Sequence, residues 1–331
     1  MTEPRIILVP IGDPNGIGPE IAVKAVLDGA GAGARLVLVG DSHVLRHYCG
    51  ANSLRLINLH RLPAVEEGTV DAIDVAAIDP ADFRPGSCDP QSGRATVRYI
   101  EAAVDAVRSG SADAIVTCPH NETAINQAGI PFSGYPSLLA RIVGQPENSV
   151  FLMLAGGGLR IVHATLHESV ALALARIDQD LVMAACRAAD VVAGQLGIGR
   201  PRIGLFGINP HAGENGLFGD EDDQVTGPVA DTLRAAGLDI IGPYGGDLLL
   251  SQRDCDVYVA MFHDQGHIPI KLLSVRHSTA FAVGAGILFA SVGHGSAPDI
   301  AGQNRADAAP LISALETISE ALANQERSIA S

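Results

Sequence analysis

A chain of 331 residues with 47% hydrophobic and 18% charged residues is long enough for one or two domains with a large core. Its formal net charge of −15 argues against a nucleic-acid partner, because phosphate binding needs a basic surface, but it allows a small anionic substrate. Five scattered cysteines without a Cys-x-x-Cys pair, no secretory signal and no apolar run of membrane-spanning length lead us to expect a cytoplasmic protein away from membranes.

The order of apolar and amphipathic segments predicts an α/β protein with a mostly parallel sheet. Residues 6–11 predict the first strand, the Gly/Pro segment 12–18 predicts a loop, and Pro19 followed by Glu20 is typical of a helix start. Later segments predict strands at 35–39, 114–117, 159–162, 203–208 and 257–261, helices at 95–108, 179–196, 225–236 and 307–322, and buried strand and loop at 278–293.

A domain boundary is expected near residues 129–134, with the C-terminal helix returning to the first domain. The predicted domains are residues 1–130 plus 290–331, and residues 131–289.

The loop at residues 12–18 follows a strand and is rich in glycine, but it lacks the Gly-x-Gly-x-x-Gly spacing of a dinucleotide fingerprint. No phosphate-binding P-loop sequence occurs elsewhere in the chain. A tight turn and a ligand-contacting loop are about equally supported here.

Three histidines each follow a short apolar run that predicts a strand: His167, His211 and His263. Loops after strands are where α/β proteins collect ligand-binding side chains. Three imidazoles could hold one divalent metal and leave a coordination position for substrate. Spacing alone does not prove such a site, because the three residues are far apart in the chain.

Other histidines have weaker support as ligands. His43, His47, His60 and His277 have no supporting motif, and His163 lies within a predicted strand. Since a single histidine is more often a core or surface residue than a metal ligand, we interpret all five as structural.

Several other polar residues have two interpretations. Asp264 could orient His263 or act as a general base, but it could equally cap a helix, and Asp247 could also be a cap. Lys271, among apolar neighbours, either extends to solvent or meets an anion. The small-residue loop 291–302 around His294 could wrap closely on a nucleotide.

Taken together, these motifs resemble the 4-hydroxythreonine-4-phosphate dehydrogenase family. The matching segments span nearly the whole chain in the order of the family: residues 12–20, 128–134, 209–214, 263–266 and 294–302. The resemblance implies a fold like isocitrate and isopropylmalate dehydrogenase, with two α/β domains and a cleft between them. It also implies NAD, a divalent metal (zinc is the first choice) and a homodimer with shared active sites, whose interface lies on the second domain.

The resemblance also assigns roles to residues. The metal ligands would be His167, His211 and His263, and Lys271 would anchor the substrate. Asp247 and Asp264 are the candidates for the general base. The cofactor-binding residues would be Asn209, Gly213, Glu214, His294, Gly295, Ala301 and Gly302.

The chain departs from the family pattern where a phosphorylated substrate would bind. Tyr135-Pro136 replaces a His-Thr pair, Ala280 and Phe289 replace an Asn and an Arg, and Glu122 replaces a Lys. Each lost charge-assisted hydrogen bond is worth roughly 1.5–3 kcal/mol, so a phosphorylated substrate should bind poorly. Tyr135, Ala280 and Phe289 would give a flatter, more apolar site that suits a ring.

A branch of the family that acts on a cyclic diol dicarboxylate, 1,2-dihydroxy-3,5-cyclohexadiene-1,4-dicarboxylate (terephthalate cis-dihydrodiol), shares further segments, residues 118–125, 132–140, 166–170 and 266–271. We therefore expect oxidative decarboxylation of this diol to protocatechuate, CO2 and NADH. Lys271 would face one carboxylate, and His163 and Arg141 are candidates for the other. The alternatives are 4-hydroxythreonine-4-phosphate or another β-hydroxy acid as substrate, a three-histidine hydrolase or lyase without NAD, and a non-catalytic binding protein.

Overall fold

A computed structural model describes residues 4–31, 33–274 and 278–329. His277, interpreted above as structural, lies outside the described residues. The contacts of the chain divide it into two compact units, each described by itself below. The first comprises Met1–Gly134 and Ile287–Ala323, and the second comprises Tyr135–Gly286 and Asn324–Ser331.

The described residues form twelve strands and eleven helices. The strands are β1 Arg5–Pro10, β2 Ala34–Gly40, β3 Ser53–Leu56, β4 Thr69–Asp74, β5 Ala114–Thr117, β6 Phe151–Gly156, β7 Leu159–His163, β8 Arg202–Phe206, β9 Asp239–Tyr244, β10 Val257–Ala260, β11 Thr279–Val283 and β12 Phe289–Val292. The helices are α1 Gly18–Leu27, α2 Ser42–Cys49, α3 Pro90–Arg108, α4 Glu122–Gln127, α5 Tyr135–Val143, α6 Val170–Arg176, α7 Gln179–Gln195, α8 Gly227–Ala235, α9 Gly246–Gln252, α10 His263–Leu273 and α11 Ala309–Ile329.

The first unit contains parallel strands in the order β3-β4-β2-β1-β5-β12. The side chains of Ile7, Leu8 and Val9 on β1 are all buried, as expected of a parallel strand covered on both faces. Such strands are nearly continuous apolar runs, which is why residues 6–11 and 114–117 could be predicted from composition.

The second unit contains strands in the order β11-β6-β7-β10-β8-β9. The β11, β6 and β7 strands pair antiparallel, and β7, β10, β8 and β9 pair parallel. Because parallel strands end at the same edge, the segments that follow β7, β8, β9 and β10 all leave the sheet there. His167, His211, Asp247 and His263 lie on these four segments.

The prediction of an α/β fold with a mostly parallel sheet is confirmed, and most predicted elements lie within a few residues of their observed bounds. Helix α3 begins at Pro90 rather than at residue 95, because the Asp89 side chain caps it by accepting from the Ser92 backbone N–H at 2.9 Å. The likeness to isocitrate dehydrogenase, the domain bounds and the cleft stay predictions. In the described part of the chain, no helix has the length and hydropathy needed to cross a membrane.

Asp13, in the glycine-rich loop before α1, is a fully buried carboxyl group. It accepts a hydrogen bond from the Asn15 backbone N–H at 3.0 Å. Burial raises its pKa to about 6, because an ionised carboxylate loses hydration in this loop. The loop thus turns around this aspartate, and contact of the loop with a ligand stays a prediction.

We predict that Asp13→Asn increases the free energy of unfolding, relative to wild type, more at neutral pH than at acidic pH. Since the folded pKa of Asp13 lies above its unfolded value, this group favours folding below about pH 4, and that contribution is lost as the pH rises to about 6. The gain in unfolding free energy from the substitution should therefore be up to about 3 kcal/mol larger at pH 7 than at pH 4. Urea unfolding of both proteins at the two pH values measures it, and an equal effect at both would contradict it.

Candidate functional site

Two of the predicted metal ligands, His167 and His263, lie close together where β7 and β10 end. Their ring centroids are 5.6 Å apart. The Thr165 hydroxyl donates to the Met261 carbonyl at 2.6 Å, and this bond joins the two segments just before the histidines. The parallel pairing of β7 with β10 therefore brings together two imidazoles that are 96 positions apart in the chain.

Asp264 orients the imidazole of His263. The Nδ1 atom of His263 lies 2.7 Å from Asp264 Oδ1, so that Nε2 is the nitrogen that could coordinate an ion. A carboxylate on the second nitrogen is the usual support of a metal-bound histidine. The alternative that Asp264 caps α10 is wrong, because the N-cap is Phe262 and its backbone N–H donates to Gln265 Oε1 at 3.0 Å.

His163 and His267 join these two histidines. The Nδ1 atom of His163 lies 3.1 Å from the Leu152 carbonyl oxygen, and its Nε2 lies 3.0 Å from His267 Nδ1. The ring of His267 stacks on that of His263, with centroids 3.6 Å apart and planes 14° apart. We call His163, His167, His263 and His267 the histidine cluster.

Burial disfavours the charged form of two members of this cluster. It lowers the pKa of His163 to about 3, and it lowers that of His267 to about 4, with a smaller contribution from His263. His163 is a strand residue, as we interpreted it, and it is the last residue of β7. Its hydrogen bond with His267 was not predicted from the sequence. The spacing of His263 and His267, four residues apart in the sequence, was the available signal, because such residues lie on one face if the segment is a helix.

Lys271 lies one further helical turn along α10, so His263, His267 and Lys271 share one face of the helix at four-residue intervals. Its Nζ donates to the Ser278 hydroxyl at 3.1 Å. Burial lowers the pKa of Lys271, because its ammonium group is partly desolvated. A partly desolvated ammonium group at this position could bind a carboxylate of a ligand.

The third predicted ligand, His211, lies on a strained loop after β8. Residues 211–215 all have positive φ values, between 45° and 78°. Gly213 has the lowest steric cost in this conformation, because it has no Cβ. A Cβ there would lie 2.9 Å from the Gly219 carbonyl oxygen. Non-glycine residues held in this region mark a backbone that its surroundings fix.

The buried carboxylate of Asp222 fixes the start of this loop. It accepts from the backbone N–H groups of Ile208 and Asn209, both at 2.8 Å, and from the Thr226 hydroxyl at 2.6 Å. The Asn209 side chain donates to Glu221 Oε2 at 2.7 Å. Asn209, predicted to bind the cofactor together with Gly213 and Glu214, thus has a structural bond as well.

Asp247 and His211 both lie close to Gly245. A Cβ placed on Gly245 would be 2.6 Å from Asp247 Oδ1 and 3.9 Å from the His211 Cα, so the two residues flank this glycine. The alternative that Asp247 caps α9 is wrong, because Gly245 is the N-cap and Asp247 lies within the first turn. Its carboxylate is exposed and could take a proton from a ligand.

The three predicted ligands do not form a complete metal site within one chain. Among the described residues, no group of three or more His, Cys, Asp or Glu side chains is placed to hold an ion. The donor chemistry nevertheless suits a metal, because His167 and the carboxylate-supported His263 form two-thirds of a three-imidazole set. A complete set needs a third donor from outside this pair.

The predicted nucleotide loop borders a cavity in the first unit. The cavity has a volume of about 540 Å³, and its lining includes His120, Asn121 and Glu122 as well as residues 292–298. His294 and Gly295 are thus on its wall. Ala301 is buried, and Gly302 has a φ of 73°, with Pro85 2.9 Å from where a Cβ would lie.

The residues expected to line a flat, apolar substrate site are buried. Tyr135 is 5% exposed, Phe289 is 1% exposed, and Ala280 belongs to a core cluster with Leu154 and Phe206. Their contact with substrate stays a prediction. A Phe289→Arg variant would place a charge in this buried position and destabilise the fold. A loss of activity in that variant would therefore not report on substrate preference.

The chain matches the family described as "Pyridoxal phosphate biosynthetic protein PdxA" over residues 32–318. It belongs to the PdxA family. It is 46% identical over 309 residues to the 1,2-dihydroxy-3,5-cyclohexadiene-1,4-dicarboxylate dehydrogenase of Comamonas sp., which covers 93% of this chain and 95% of that protein. The predicted resemblance to this family and to its diol branch is confirmed.

Solved structures of related dehydrogenases are also similar to this chain. The terephthalate 1,2-cis-dihydrodioldehydrogenase of Burkholderia xenovorans LB400 is 50% identical, with a TM-score of 0.74 over 96% of this chain and 98% of that one. The 4-hydroxythreonine-4-phosphate dehydrogenase of Klebsiella pneumoniae is 34% identical, with a TM-score of 0.86 over 97% and 99%. These relatives are dehydrogenases, and this chain is an oxidoreductase enzyme.

Proposed function

We propose that this PdxA-family enzyme uses NAD to oxidise and decarboxylate 1,2-dihydroxy-3,5-cyclohexadiene-1,4-dicarboxylate. The products would be protocatechuate, CO2 and NADH. The observation that carries this choice is the higher identity to proteins named for this diol than to relatives named for phosphorylated substrates. The loss of polar side chains at positions 135, 280 and 289 supports the choice, because a phosphate would lack its partners there.

We propose that a homodimer completes the active site. His167 and His263 of one subunit would hold the metal together with His211 of the second subunit. Large exposed apolar side chains on the second unit support an interface there: Val170, Leu172, Leu217, Phe218, Leu248, Ile268 and Leu272. Leu272, 77% exposed, and Val170, 71% exposed, would be costly to leave in water, and they lie on the helices next to the histidines.

When bound, a divalent cation, with zinc as the first choice, supplies Lewis-acid chemistry and NAD supplies the hydride acceptor. Lys271 binds a substrate carboxylate, Asp264 keeps His263 oriented, and Asp247 takes the hydroxyl proton. The substrate loses a hydride from C2, the resulting β-keto acid loses CO2, and the ring becomes a catechol. Aromatisation makes this sequence favourable.

We propose that NAD contacts the loop at residues 291–302. His294 and Gly295 on the cavity wall belong to a small-residue loop that a nucleotide could approach closely, and Ala301 and Gly302 are the proposed contacts further along the same loop. Asn209, Gly213 and Glu214 are the proposed contacts on the second unit. A cytoplasmic location is proposed from the five free cysteines, Cys49, Cys88, Cys118, Cys186 and Cys255, which suit a reducing compartment.

We predict that Lys271→Met raises KM for the diol by about 10- to 100-fold and changes kcat less. The reason is the loss of one charge-assisted hydrogen bond to a carboxylate, worth roughly 1.5–3 kcal/mol in both the ground state and the transition state. Steady-state kinetics measure the effect, and Lys271→Arg, which keeps the charge, should fall between the two. An unchanged KM in Lys271→Met would exclude this role.

The function is tested by adding the diol and NAD to the zinc-loaded protein. NADH is followed by absorbance, and protocatechuate by chromatography. We expect one of each per diol consumed. NADH formed from 4-phosphohydroxy-threonine, with none from the diol, would overturn the proposal, and failure of calorimetry to detect NAD binding would favour a hydrolase or lyase.

A further inference from the structure

The hydrogen bonds of the histidine cluster determine which nitrogen of His267 carries a proton. A carbonyl oxygen can only accept, so Nδ1 of His163 donates to Leu152. His163 is 1% exposed, and because such burial disfavours a charged imidazole, Nε2 is left as the acceptor for the His267 Nδ1–H at 3.0 Å. A neutral His267 therefore carries its proton on Nδ1 and has a lone pair on Nε2.

A close helix approach holds this arrangement in place. A Cβ on Gly266 would lie 2.3 Å from Nε2 of His163, so only glycine lets α10 come this near to the buried ring. Stacking on His263 then fixes the plane of the His267 ring. The backbone, the buried ring and the stacked ring thus set both the tautomer and the orientation of His267.

The position of His267 on α10 indicates which ligand group its Nε2 lone pair would contact. It lies between His263, the proposed metal ligand, and Lys271, the proposed carboxylate anchor, on the same helix face. A substrate that contacted both a metal at His263 and the ammonium group of Lys271 would pass this position. A lone pair attracts an O–H donor and not a phosphate or a carboxylate, and a diol has one hydroxyl that is not oxidised.

We infer that Nε2 of His267 accepts a hydrogen bond from the substrate hydroxyl that is not oxidised, and that His163 is the positioning residue that sets its tautomer. This inference rests on the proposed function for the identity of the hydroxyl. In the catechol product that hydroxyl is the one para to the remaining carboxylate. His267 thereby selects a diol over substrates that have no hydroxyl at this point.

The ligand test uses three benzoates with the zinc-loaded protein and NADH. Calorimetry gives the affinities of 3,4-dihydroxybenzoate, of 3-hydroxybenzoate, which lacks the para hydroxyl, and of 4-hydroxybenzoate, which keeps it. We expect wild type to prefer the dihydroxy acid over 3-hydroxybenzoate by about tenfold, the worth of one hydrogen bond. His267→Leu should reduce this preference to about one, and His267→Gln, which can accept through Oε1, should retain most of it.

The preference over 4-hydroxybenzoate should be the same in all three proteins, which separates a lost hydrogen bond from a general disturbance of the site. A His267→Leu protein that still discriminates against 3-hydroxybenzoate would overturn the inference. If wild type binds none of the three acids, the proposed substrate is wrong and the assignment of a ring hydroxyl falls with it.

The tautomer test needs no substrate. Nitrogen-15 spectra of histidine-labelled, zinc-loaded protein distinguish a protonated Nδ1 from a protonated Nε2, and His267→Gln assigns the signals. We expect the Nδ1–H form in wild type and a mixture in Gly266→Ala, which changes no imidazole but displaces His163. A protonated Nε2 on His267 in wild type would overturn the inference whatever the substrate is.

Discussion

A heterodimer made from two inactive variants, His211→Ala in one subunit and His263→Ala in the other, is expected to have about half of the wild-type turnover. If each metal site takes His263 from one subunit and His211 from the other, one of its two sites contains only native ligands. The other site lacks both. Coexpression with two different affinity tags gives this heterodimer in pure form.

Each variant homodimer alone should be almost inactive. Removing a ligand should lower metal affinity by more than the 10- to 100-fold that loss of a supporting residue costs, and turnover should fall with it. Zinc content and steady-state rates measure the two effects, and circular dichroism checks the fold. His60→Ala, an exposed histidine outside the cluster, is the matched control. Wild-type zinc content in the His211→Ala homodimer, or an inactive heterodimer, would rule out the shared site.

Asp222→Ala is expected to lower the free energy of unfolding by about 3–5 kcal/mol. The substitution leaves two backbone N–H groups and the Thr226 hydroxyl without their acceptor in a buried place. The loop that carries His211 starts at these N–H groups, so zinc affinity should also fall. Urea unfolding measures the stability, and zinc titration measures the affinity.

Asp223→Ala is the matched control, because the neighbouring aspartate is exposed and the same charge is removed. Its unfolding free energy should change by no more than about 0.5 kcal/mol. Equal effects at positions 222 and 223 would show that charge, rather than the three hydrogen bonds, accounts for the loss of stability.

The strands that lead to the candidate site could be predicted because they are parallel and buried. Residues 257–261 and 114–117 form apolar runs with no polar alternation, and the structure shows β10 and β5 there. These runs also led directly to the prediction that His167, His211 and His263 lie just after strands. The early start of α3 was also encoded, since Asp89 before Pro90 is a helix-start signal that the apolar periodicity did not include.

Pairings across long stretches of chain could not be predicted. His163 and His267 are 104 residues apart, and their bond depends on how β7 packs against α10. The roles of Asp222 and Gly266 likewise depend on which atoms come close to them in three dimensions. Burial of Phe289 and Ala280 was missed because the resemblance gave positions in a pattern and not the packing around them.

The left-handed run at residues 211–215 limits how this loop could be redesigned. Each non-glycine residue there adopts a backbone geometry that favours Gly, Asn and Asp and penalises branched side chains by roughly 1–2 kcal/mol. A ligand grafted at position 212 or 214 would therefore be tolerated best as Asn or Asp, whereas Val, Ile or Thr would destabilise the turn by about that amount. A backbone fixed in this way should need little further ordering when an ion binds at position 211, which would lower the entropic cost of capturing the ion.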